Sequence, residues 1–316
     1  MSHEIETMAY AGETPWHGLG EQVSNDLTPA QMLKKAGLDW QVEKRPMMYK
    51  SGSGFKVIEG KNVLIRSSDE KVLDVVGSDW NPVQNDDAFE FFSEYVFAGD
   101  MEMHTAGSLK GGQMVWALAK VKESFDLFGG DKVDSYLLFS NPHQYGKSID
   151  VRFTPIRVVC NNTLTLSLGM EANRSFKIGH RAKFNPNEVK EALGIASNKL
   201  GVYKEMAEFL GKKRFTMDKL IEYYNTVFPS GSKKDRTLTA ESLSRNAKLA
   251  LEVLDTQPGH EFAEGSWWQA FNSVTYVTDH IQGRNPDNRL YSNWFGGNQL
   301  RKKSAIETAI KFAEMA

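Results

Sequence analysis

One change of pattern constrains this chain more than any other feature. Up to Phe184, apolar residues fall in short runs broken by Gly, Pro, Asn and Asp; after Asn185-Pro186-Asn187 they recur at helical spacing. A chain patterned this way is expected to be α+β, an N-terminal mixed or antiparallel β-rich unit followed by a C-terminal helical region. The expected domains are 1–184, β-rich mixed α+β, and 185–316, a helical domain or helical subdomain packed on it.

In the first part, Thr28-Pro29-Ala30-Gln31 supplies a capping residue and then proline at the first helical position, and Gly37 ends that helix. Trp40–Glu43 alternates like a strand. Phe55–Ile58 and Asn62–Arg66 are expected to pair around a tight turn at Glu59-Gly60-Lys61, and Val72–Val76 continues the pattern. Asp86–Phe97 places Ala88, Phe91, Phe92, Tyr95 and Val96 on one helical face. Strand candidates follow at Gln113–Val121, Val133–Ser140 and Ile149–Leu168, the last broken near Pro155, which cannot donate to a ladder. In the second part, Glu188–Leu210, Met217–Val227, Leu238–Leu254, Ser266–Ile281 and Gln299–Ala313 read as helices. Trp267-Trp268 and Asn293-Trp294-Phe295-Gly296-Gly297 read as core or subunit contact rather than base-stacking platforms.

Composition closes several classes. With 18 Phe, 10 Tyr and 7 Trp, a disordered chain is excluded, and the single cysteine, Cys160, excludes an intrachain disulfide or a cysteine-rich zinc site. No apolar run is long enough to span a bilayer, and Met1–Glu6 lacks a secretory pattern, so the expected location is the cytoplasm, with no membrane partner. The net charge of −2 conceals an imbalance. Residues 1–150 carry 14 cations against 23 anions, and residues 151–316 carry 24 against 17. Such a split points either to a polyanion-binding face or to two self-solvating halves.

Enzyme motifs are thin. Neither a phosphate loop nor a dinucleotide fingerprint is present, and Gly52-Ser53-Gly54 reads as a turn, so no cofactor is expected. His260-Glu261-Phe262-Ala263-Glu264 has Glu264 where a zinc-binding helix needs its second histidine. His104, His143 and His180 occupy separate turn-like segments. Glu59-Gly60-Lys61 with Asp39 matches part of a metal-dependent nuclease site, but Gly60 makes a hairpin tip the simpler reading. Cys160 reads as a small buried hydrophobe; a dyad with His17 or His180 is the competing assignment. No catalytic residue and no metal ligand is assigned.

The remaining signal is cationic and aromatic. Arg152, Arg157, Arg174, Lys177, Arg181 and Lys183 are interleaved with Phe176 and Phe184, and Lys212-Lys213-Arg214 adds a cluster at a helix end. Single strands are held by cations on phosphates and aromatic faces on bases, which makes these eleven residues the candidate nucleic-acid site. Helix-end cations also complement the macrodipole, which is the competing explanation.

Five strings together resemble a known family: Thr14–Gly20, Ala36–Trp40, Ala106–Gly112, Val151–Leu164 and Ser292–Gly296. They are similar, in order and over nearly the whole chain, to the uncharacterised phage/plasmid-like protein family known as domain of unknown function 932. The resemblance implies a bacteriophage or mobile-element setting in a bacterial host, and neither a reaction nor catalytic residues. In that setting the first expectation is single-stranded DNA binding, with strand annealing in replication or recombination, by a homo-oligomer. A host-directed inhibitor meeting a bacterial defence or replication protein is second, its acidic Asp86, Asp87, Glu90, Glu94, Asp100 and Glu102 facing a basic partner. A metal-dependent nuclease is third.

Overall fold

The computed structural model describes residues 5–12, 19–157, 162–163, 176–178, 180, 201–230, 238–283 and 289–315. It is α+β, with a mixed sheet in the N-terminal part and helices in the C-terminal part. The chain divides into two compact units, and the division falls inside strands. The first unit holds residues 1–122, 136–153 and 167–196; the second holds 123–135, 154–166 and 197–316.

The first unit is built on β1 (Ile5–Ala11), β2 (Glu21–Val23), β6 (Met101–Leu109), β7 (Met114–Leu127), β8 (Asp131–Pro142), β9 (Ile149–Arg157) and β11 (Phe176–Ile178). Their order is β11-β9-β8-β7-β6-β1-β2, with β10 (Asn162–Thr163) pairing the far end of β9. The pairing is antiparallel where a register is given, except for β2, which lies parallel on β1 at Ala9–Ala11. Two helices cover one face. In α1 (Pro29–Lys35) Thr28 and Gln31 form a reciprocal capping box, and Gly37 follows at a φ of +65°. In α2 (Asn85–Ala98) the buried stripe Ala88, Phe89, Phe91 and Phe92 meets Phe139 of β8. Gly107 in β6 has to lack a side chain, because a Cβ there would lie 2.5 Å from the Thr7 carbonyl oxygen of β1.

A second, three-stranded sheet runs β3 (Val42–Ser51), β4 (Gly54–Arg66), β5 (Val72–Gly77). Here the expected hairpin is corrected. Phe55–Ile58 and Asn62–Arg66 are not partners but parts of the one strand β4, and Glu59-Gly60-Lys61 is no tip. The turn is at Gly52-Ser53, between the paired residues Ser51 and Gly54, with Gly52 at a φ of +57°. Glu59-Gly60-Lys61 lies in a bulge. Pro46 pairs with Asn62 and Met48 with Val57, so Met47 alone faces Ile58 through Lys61, and Gly60 takes a φ of +70°.

The second unit contains a helix over 201–212 (α3), α4 (Met217–Val227), α5 (Arg245–Glu252), α6 (Trp267–Tyr276), α7 (Arg289–Phe295) and α8 (Gly297–Glu314). Thr216 caps α4 and Ser266 caps α6 through their hydroxyl oxygens, as small polar residues do at helix starts. Trp267 and Trp268 are core residues, packed with Tyr223, Phe271 and the strand residues Leu127 and Val133. The indole N–H of Trp268 donates to Asp131 over 3.1 Å. Residues 277–281 continue α6 as a π-turn, and on it Asp279 meets Lys302 of α8 at 2.7 Å, both essentially buried. Burial pulls the Lys302 ammonium down in pKa while Asp279 pulls it up, and the net effect is downward. No helix among the described residues is long and apolar enough to cross a membrane.

Candidate nucleic-acid interface

The residues selected from sequence are placed unevenly. Arg152 lies on β9, half-buried, and its guanidinium is committed to Asp150, from Nε at 2.7 Å and more closely from Nη2. Arg157 ends β9 opposite Asn162, and Phe176 and Lys177 pair with Val151 and Asp150 through β11. The side chains of those three lie outside what is described, as do residues Arg174, Arg181, Lys183 and Phe184 entirely. Lys212 is exposed at the end of α3. Lys213 lies over the Phe209 ring at 5.9 Å, and Arg214 bridges by its backbone to Ser266. This last cluster follows the end of α3, where cations also complement the helix dipole.

The histidines are also sorted. His104 is not in a turn but is the extra residue of a bulge in β6, edge-on to Tyr136 at 5.0 Å. His143 and His180 are buried and electrostatically coupled. The ring of His143 donates from Nε2 to Asn85 Oδ1 over 3.0 Å, because the Asn85 amide nitrogen is already donating to the Leu38 and Trp40 carbonyls. The ring of His180 stacks on Trp80 at 4.1 Å, with Nδ1 3.2 Å from the Asn81 carbonyl oxygen. Burial holds both rings neutral, His143 at a pKa of about 3 and His180 at about 4. Among the described residues, no three His, Cys, Asp or Glu side chains are grouped to hold a metal. A cleft of about 550 Å³ lies beside Ile5–Met8 of β1, but its charges are engaged: Glu6 binds Arg66, and Lys35 binds Glu21.

The sequence reading missed one cationic element, the β3–β4 arm. Residues 44–61 carry five cations, Lys44, Arg45, Lys50, Lys56 and Lys61, against the single anion Glu59. The arm is anchored at its root. Arg66, at the end of β4, forks to Glu6 of β1 at 2.7 and 3.0 Å and to Asp69 at 2.8 and 2.6 Å. Its cation also lies over the Trp40 ring. Those bonds hold the Asp69 carboxyl down at about 2. The Lys44 ammonium donates to the carbonyls of Ser78 and Trp80, and Arg45 is paired to Glu43 and Glu70.

Beyond the root the support stops. β5 pairs β4 only from Lys61 to Ile65, so the stretch from Met48 to Val57 is a two-stranded ribbon with no third strand among the described residues. A lone pair of strands buries too little to close a core of its own. Met48, Tyr49, Phe55 and Val57 accordingly stand between 49% and 74% exposed. Directly opposed residues of an antiparallel pair share a face. One face therefore presents Lys50 opposite Phe55 and Met48 opposite Val57; the other presents Tyr49 opposite Lys56. The ammonium groups of Lys50, Lys56 and Lys61 make no ion pair or hydrogen bond with the described residues. Each face of the ribbon thus offers an uncommitted cation beside an exposed aromatic ring, the combination that grips phosphate and base together.

Averaging charge over half the chain hid this arm inside the acidic half. The available signal was local: basic residues from Lys44 to Lys61 spaced through Tyr49 and Phe55 around a Gly-Ser-Gly turn. A family model described as a domain of unknown function (DUF932) matches residues 72–295. No curated protein and no solved structure matches the chain.

Proposed function

The chain belongs to the DUF932 family, whose function is unknown, and we propose that it binds single-stranded nucleic acid through the β3–β4 arm, which lies before the matched residues 72–295. The observation that carries the reading is the pairing of Lys50 with Phe55 and of Lys56 with Tyr49 on a ribbon that nothing else in the described chain covers. Duplex DNA uses only the cations of such a surface, since its bases are already stacked; a single strand uses the rings as well. Each stacked base contributes about 1–3 kcal/mol. The phosphate contacts make binding salt-dependent, at about 0.7 of a log unit per neutralised phosphate for single strands.

Fluorescence anisotropy with a labelled oligonucleotide tests the reading. Binding is expected at ~50 mM salt and is expected to weaken steeply on raising the salt. The variant K50E/K56E is expected to bind at least about tenfold more weakly, with a salt slope shallower by about 1.4, two phosphates' worth. Absence of binding by the unsubstituted protein at low salt overturns the proposal. If a host protein instead co-purifies through Met48, Phe55 and Val57, the arm serves a protein partner.

A further inference from the structure

We infer that the arm holds two single strands at once, one on each face, and so brings strands together as well as binding them; this rests on the reading of the arm as a nucleic-acid grip. The geometry gives the two faces the same equipment. Lys50 and Phe55 are directly opposed on one face, and Tyr49 and Lys56, one register step away, are directly opposed on the other. In each case the cation and the ring come from different strands, within side-chain reach of one another. The lysines on both faces have no partner among the described residues, and the rings on both faces are about half exposed or more.

A ribbon lying against its own protein would bury one face and expose the other, with apolar and polar residues alternating along each strand. This one does not alternate. Lys44 to Lys50 reads cation, cation, proline, Met, Met, Tyr, cation, and neither face of the tip is covered by the described residues. The bulge at Ile58–Lys61 ends regular pairing between root and tip, and bulges of this kind turn a strand away from its neighbours. Two strands bound to opposite faces of one ribbon would lie about 20 Å apart, one layer spacing of about 10 Å on each side of it. The backbone and four side chains of the tip then separate their phosphates, and the lysines offset the repulsion. The activity implied is strand bridging, the step that must precede pairing of complementary single strands.

The test uses the full chain and two non-complementary oligonucleotides carrying a donor and an acceptor dye. Energy transfer is expected with the unsubstituted protein, together with a stoichiometry of two oligonucleotides per chain in native mass spectrometry. The single-face variants K50E/F55A and Y49A/K56E are each expected to retain one oligonucleotide per chain, with affinity reduced only about twofold as one of two equivalent sites is lost, and to lose the transfer. All four positions are exposed, and circular dichroism confirms the fold of each variant. The inference is overturned if either variant abolishes binding outright, which makes the two faces one site, or if both retain transfer, which assigns bridging to association of whole chains. Failure of the unsubstituted protein to bind any oligonucleotide is a different result. It removes the reading of the arm itself, and the two-faced grip with it.

Discussion

His143 and His180 show how much a single buried ring can impose on stability. Both are neutral in the fold, with pKa values of about 3 and about 4, because burial penalises the imidazolium; for His143 the charge of His180 adds to that penalty. In the unfolded chain each titrates near the ordinary histidine value of about 6.5. Below that pH the unfolded state takes up protons the folded state refuses, so stability falls as pH drops from about 6.5 toward about 4. The expected slope is up to about 1.4 kcal/mol per pH unit for each histidine. Urea unfolding between pH 7.5 and 5 measures it. His143→Gln is expected to flatten the slope while lowering stability at neutral pH; an unchanged slope would show that the ring is not the titrating group. The sequence pointed to both histidines but could not pair them, since 37 positions separate them and their meeting depends on which strand end the Trp80–Asn85 turn packs against.

At the scale of an element, the arm divides into a root that is part of the fold and a tip that is not. Removing Arg66 leaves Glu6 with only Lys71 and the Ser108 hydroxyl, each at 3.5 Å, and leaves Asp69 without its main partner, at a site where the guanidinium is about nine-tenths buried. Arg66→Ala is therefore expected to destabilise by about 3 kcal/mol, the scale for breaking one partner of a buried pair. Phe55→Ala removes a ring that is 74% exposed and is expected to change stability by less than about 0.5 kcal/mol. Thermal unfolding of the two variants side by side checks the contrast, and equal losses would mean the tip is packed after all.

The same element shows what could and could not be read in advance. Met217–Val227 was legible to the residue, because Thr216 caps it and Phe228-Pro229 closes it. The helix over Asn85–Ala98 was legible from its phenylalanine stripe. The outer half of β3 was not, because a strand exposed on both faces carries no alternation. Gly60 then drew the hairpin turn to the wrong place, since a glycine at positive φ serves a bulge as well as a tip. The strand Met101–Leu109 was missed for the opposite reason: it is buried along nearly its whole length and mixes small polar with apolar residues.

For the whole molecule, the cations expected to gather beyond residue 150 lie mostly outside the described residues, with Arg152 and Lys212 to Arg214 the ones described. Arg152 is spent on Asp150, while the acidic half carries the uncommitted lysines of the arm. The two compact units also interleave along the chain, which passes between them inside β7, β8 and β9. A fragment ending at Lys122 would expose the edge of β7 and lose Leu137, Phe139, Ile149 and Val151 from the first core. Such a fragment is expected to be aggregated or molten, read as lost near-ultraviolet dichroism and rapid proteolysis. A well-dispersed, protease-resistant fragment would show that the first unit does not need its later strands.

The weak attachment of the ribbon's outer half has a consequence for how this protein can change over time. Residues that bury nothing are free of the demands that tie a core position to its neighbours. New ligand preferences can be tried at Met48, Tyr49, Phe55 and Val57 with little risk to folding, whereas Arg66 and Leu64 at the base are held in place. Relatives would then share a stem and differ at its end, and exchanging ten residues between two of them would move specificity while leaving the melting temperature where it was.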